Sequence, residues 1–132
     1  LKIRLIIAIF ATAALSAHAE DGWIYVTSND EIQTEFQSGS FVVQNNRGGK
    51  EIAVATVRTI IKKTSYADLG KTYVSTADCN NKQGKIIRVG VDNEYKYEND
   101  FIFNGGTMAS IMAEFLCQAY YYQLKQISDK GL

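Results

Sequence analysis

Apolar and polar positions alternate with a period of two along most of the chain, and a helical period takes over only near its end. Trp23–Ser28 (WIYVTS) is aromatic and β-branched and reads as a strand. Asn29-Asp30 turns the chain. Glu31–Gln37 then places Ile32, Thr34 and Phe36 on one face and charged or amide groups on the other. Ser38-Gly39-Ser40 breaks this run. Phe41–Gln44 is a further short strand, and Asn45–Gly49 supplies residues that tolerate positive φ. Glu51–Lys63 fits two patterns. Val54, Val57, Ile60 and Ile61 could form a helical stripe, but the density of β-branched residues and the turn before it favour a central strand covered on both faces.

Ser65–Lys71 reads as a loop with a turn at Asp68-Leu69-Gly70-Lys71. Thr72–Cys79 reads as the next strand, and Asn80–Gly84 as a tight connection. Lys85–Val91 puts Ile87, Val89 and Val91 on one face, and Asp92–Tyr97 extends it. Glu98-Asn99-Asp100 reads as a turn before a short strand, Phe101–Phe103. Helical spacing then appears at Met108, Ile111, Met112, Phe115, Ala119 and Tyr122, after Gly105-Gly106 and a capping hydroxyl at Thr107. Cys117 falls off the centre of that stripe. Lys125–Leu132 is polar and is expected to fray. Strands followed by one helix predict an α+β domain: an antiparallel sheet of about six strands with a C-terminal helix packed on it.

The beginning of the chain changes this picture. Lys2 and Arg4, the apolar run Leu5–Leu15, and small residues ending at Ala19 have the layout of a secretory signal peptide. Residues 1–19 are therefore expected to be removed by cleavage between Ala19 and Glu20. Residues 20–132 then form a single domain with no transmembrane segment, exported to the periplasm, cell surface or medium. Without Lys2 and Arg4, 12 basic residues stand against 14 acidic ones, a formal charge of −2 that argues against nucleic acid. The chain's one histidine, His18, leaves with the leader. No Ser-His-Asp triad, Cys-His pair or histidine metal site can then form, and the expectation is a protein that is not an enzyme. Two cysteines in an exported chain read as a disulfide, Cys79 to Cys117, tying the helix to the strand that carries Cys79.

Few residues suggest chemistry, and neither a cofactor nor a metal is expected. Asp92, Glu94, Glu98 and Asp100 could offer oxygens to calcium, but the glycine and closing glutamate of the usual loop are missing, so a solvated strand end is the plainer reading. A hydrolase built on such carboxylates is a distant third class of function. Arg47, Lys50, Arg58, Lys62, Lys63 and Lys71, with Lys82, Lys85 and Arg88 near Cys79, could together attract an acidic protein or glycan, or lie apart on solvated strands and turns. Tyr120-Tyr121-Tyr122 circles the helix, so a partner or homodimer contact competes with packing on the sheet rim. Lys82, Lys85, Arg88, Tyr120 and Tyr121 are the candidate partner contacts. Trp23 reads as a core residue.

Trp23-Ile24-Tyr25-Val26, Tyr73-Val74-Ser75 followed by Asp78-Cys79, the tyrosines of Tyr95–Tyr97 and a closing helix with Cys117 together resemble the surface-adhesin protein E family of Gram-negative bacteria. The resemblance covers most of residues 22–122. It implies an exported antiparallel sheet with a disulfide-tied C-terminal helix, and a protein that binds another protein, such as a host matrix or serum protein. The family's best-known member is lipid-anchored, whereas no cysteine stands at this cleavage site. The alternative is a periplasmic inhibitor or immunity protein that blocks an enzyme through a projecting loop, Asn45–Lys50 or Asn80–Lys85.

Overall fold

Asn46 shows how this chain turns its strands. Its side-chain oxygen accepts from the amides of Gly48 (2.9 Å) and Lys50 (3.0 Å), and Gly49 takes the positive φ of 79°. Asn29 does the same one hairpin earlier, accepting from Glu31 and Ile32. In the computed structural model, which describes residues 22–129, such turns connect β1 (Trp23–Ser28), β2 (Ile32–Gln37), β3 (Val42–Asn45), β4 (Glu51–Ile61) and β5 (Tyr66–Ser75). A short helix α1 (Thr76–Asn81), β6 (Gln83–Gly90), β7 (Tyr95–Ile102) and the long helix α2 (Met108–Asp129) complete the fold. The expected signal peptide and its cleavage point lie outside the described residues.

All pairings are antiparallel, and the seven-stranded sheet runs β1-β2-β4-β5-β6-β7 with β3 also on β4. β2 and β3 lie end to end along one edge of β4, since Phe36 faces Val57 and Val42 faces Val54. The chain between them loops out, and Ser40 Oγ accepts from the Thr56 amide at 3.0 Å, filling the gap in the ladder.

One face of the sheet carries the core. Ile24, Phe36, Ala53, Ala55, Val57, Val74, Ile86 and Phe101 meet Ala113, Leu116, Cys117 and Tyr120 of α2. Cys79 and Cys117 are joined, with Cα atoms 5.3 Å apart, and both are fully buried in this cluster. The architecture is therefore the expected α+β one, with helix and sheet covalently tied.

Several local readings need correction. Cys79 stands on α1 and not on a strand: Ser75 accepts from the Asp78 amide at 3.0 Å and starts the helix, and Lys82 ends it at φ 62°. Residues 66–71 belong to β5, and Gly70 pairs with Val57 and Gly90 in mid-sheet. Glu98-Asn99-Asp100 lies within β7, while Asp92 and Asn93 form a turn and do not extend β6. α2 begins at its Thr107 cap as expected, with the hydroxyl accepting from the Ser110 amide at 3.0 Å, but it continues through Asp129. Its buried face is also rotated from the predicted stripe. Ser110, Ala113 and Ala119 are buried and Ile111 is exposed, because small side chains let a helix come closest to a sheet. Cys117 thereby sits at the centre of the contact.

Candidate binding face

Strand alternation that sends Ile24, Phe36 and Val57 toward α2 sends their neighbours to the opposite face. Both helices lie on the first face, so no helix among the described residues covers the second. Across it the register aligns Tyr25, Glu35, Arg58 and Leu69 in one row. Val42, Val54, Tyr73 and Ile87 form the next, and Lys71, Val89 and Tyr95 lie between. Leu69 is 48% exposed and Tyr95 59%, and Tyr25 and Val42 are exposed as well.

A polar group fixes one side of this face. The Arg58 guanidinium lies 4.4 Å from the centroid of the Trp23 ring. Arg58 Nε and Nη2 both donate to Glu35 Oε1, with the Nε bond at 2.9 Å, and the other Glu35 oxygen accepts from Gln33 at 2.8 Å. Trp23 is thus held on the open face and is not a core residue. The signal was present in the sequence: Trp23 and Tyr25 share a parity opposite to that of Ile24.

The candidate contacts predicted from sequence do not form one surface. Arg88 is only 4% exposed and lies on the helix side, where Nη1 donates to Thr59 Oγ1 (3.0 Å) and Nη2 to the backbone oxygen (3.0 Å) and Oδ2 (3.1 Å) of Asp68. Tyr120 is 7% exposed and packs in the core. Tyr121 is half-buried and donates to the Cys79 carbonyl. Burial raises its pKa, and the neighbouring Tyr120 adds to the shift. These three are interior or structural groups, so Tyr120 and Tyr121 pack on their own fold. Lys82 and Lys85 are exposed. Lys85 donates to Asp100 at 2.7 Å and lies 3.4 Å from Glu98, and the Asp100 hydrogen bond and charge raise its pKa.

The other groupings separate too. Asp92 and Glu94 stay at the β6–β7 turn, while Glu98 and Asp100 flank Lys85. Arg47 and Lys50 sit at one end of β4, and Lys62 and Lys63 just beyond the other. The Asn80–Lys85 segment does not project, because Asp78 Oδ2 accepts from the Lys85 amide at 3.2 Å. No helix among the described residues is long and apolar enough to cross a membrane.

Comparison with family models, with curated proteins and with solved structures finds no match for this chain.

Proposed function

We propose that this chain is a non-enzymatic exported binding protein that recognises another protein through the open face of its sheet. The observation that carries the proposal is the row of Tyr25, Arg58 and Leu69 beside Trp23, on a face that no helix among the described residues covers, with Val42, Tyr73 and Tyr95 around it. Aromatic residues and arginine are enriched where proteins meet, and an exposed apolar patch rimmed by polar groups is a common docking surface. The ion pair that holds Arg58 over Trp23 reduces the ordering cost of binding. The disulfide is compatible with an oxidising compartment outside the cytoplasm. The resemblance to surface-adhesin protein E supports a matrix or serum protein as the partner class.

The alternative reading, an inhibitor or immunity protein, draws support from the β3–β4 turn. That turn is exposed, and the Asn46 side chain pins it. Two pools of bait separate the readings. Immobilised matrix and serum proteins test the first, and a periplasmic extract tests the second. Capture from the first pool that is lost on Leu69→Glu but kept on Arg47→Ala supports the open face. The reverse pattern supports the turn.

A further inference from the structure

The helix-side face of the sheet is wider than α2. Where the helix begins, a cavity of about 110 Å³ remains between its first two turns and β2, β4, β5, β6 and β7. Thr34, Thr59, Thr72, Arg88, Tyr97 and Asn99 contribute polar groups, and Met108 and Met112 of the helix contribute apolar ones. No carboxylate among the described residues lines it, and the one formal charge they bring to its wall is the Arg88 guanidinium.

That guanidinium is incompletely occupied. Arginine offers five N–H donors, and three are engaged by Thr59 and Asp68. Asp68 stands at the rim, with 56% of its side chain exposed, so water competes for its carboxylate. Thr59 accepts from Arg88 and keeps its own hydroxyl hydrogen to donate. Thr34 is 1% exposed and borders the same space. The first residues of α2, Met108 and Ala109, also border the space and bring the positive end of the helix to it.

We propose that this cavity is a binding site for a small aliphatic monocarboxylate, with the carboxylate on Arg88 and the Thr34 and Thr59 hydroxyls and the short tail against Met108 and Met112. The volume fits that class. An apolar cavity of about 150 Å³ accepts benzene, so this one suits a molecule no larger than that. The site lies on the opposite side of the sheet from the protein-binding face and does not depend on that reading.

The test uses butyrate and its neutral isostere butyramide, titrated into the oxidised protein and followed by amide NMR. Butyrate is expected to give saturable shifts at Thr34, Thr59, Thr72 and Arg88, and to bind roughly tenfold tighter than butyramide, the scale of a charge-assisted hydrogen bond. Asp68→Asn keeps an acceptor for Arg88 but removes the competing charge. It should tighten butyrate about threefold and leave butyramide unchanged. Thr34→Val, which preserves shape, should weaken butyrate. Equal binding of the two probes, no saturable shift at the four residues, or an Asp68→Asn variant that binds butyrate no better would each overturn the proposal.

Discussion

Tyr121 donates its phenolic hydrogen to the carbonyl of Cys79, the residue whose sulfur is bonded to Cys117 one turn earlier in the same helix. α2 therefore grips α1 twice at one point, once covalently and once by a hydrogen bond. The disulfide closes a loop of 38 residues, and constraint of the unfolded chain gives it about 4 kcal/mol. Replacing both cysteines by serine should lower the unfolding free energy by about that much in a urea titration. Tyr121→Phe should cost about 1 kcal/mol in the oxidised protein and less without the disulfide, because nothing then holds the carbonyl in place. Equal costs in both backgrounds would show the two contacts to be independent.

Alkaline pH should weaken the same junction. Burial raises the Tyr121 pKa above its ordinary 10.0 in the folded state. The unfolded chain then loses the phenolic proton first. The stabilisation is complete below about pH 10 and declines as the pH rises through the folded value. Lys85, raised above 10.5 by Asp100, declines in the same direction, but it is fully exposed and added salt should screen its share. Melts between pH 8 and about 11 in high salt should show a steeper loss for wild type than for Tyr121→Phe. Parallel slopes would remove Tyr121 from the account.

Gly70 is held to its identity by close approach. A Cβ there would lie 2.3 Å from the Val89 carbonyl oxygen and 2.8 Å from Arg88 Nε. Gly70→Ala should destabilise by about 3 kcal/mol, since backbone and a buried guanidinium must both move. Gly48→Ala, whose Cβ would meet only Asn46 Oδ1 at 3.4 Å, should cost under about 1 kcal/mol. Similar chemical-denaturation midpoints for the two variants would contradict the packing described around Arg88.

The architecture was legible because the period-two alternation, the cysteine pair and the Thr107 cap all point the same way. What was missed has physical causes. Gly70 signals a turn in isolation, yet here it makes room for a side chain two strand positions removed, which no local pattern encodes. The Ser75–Asp78 cap was hidden by the β-branched residues before it, although its spacing is a known start signal. Arg88 looked like a surface cation because its partners, Thr59 and Asp68, lie on other strands. The open face was partly readable, since Trp23 and Tyr25 share a parity, but which parity faces the helix is decided only by tertiary packing.

The central claim is that the open sheet face binds a protein. Its most direct test is the affinity of an identified partner, measured by biolayer interferometry, for wild type, Leu69→Glu and Tyr95→Lys on that face, and Lys82→Ala away from it. The account predicts weakening of about tenfold or more for each face variant and little change for Lys82→Ala. Unchanged affinity of both face variants, with each still melting like wild type, would contradict it.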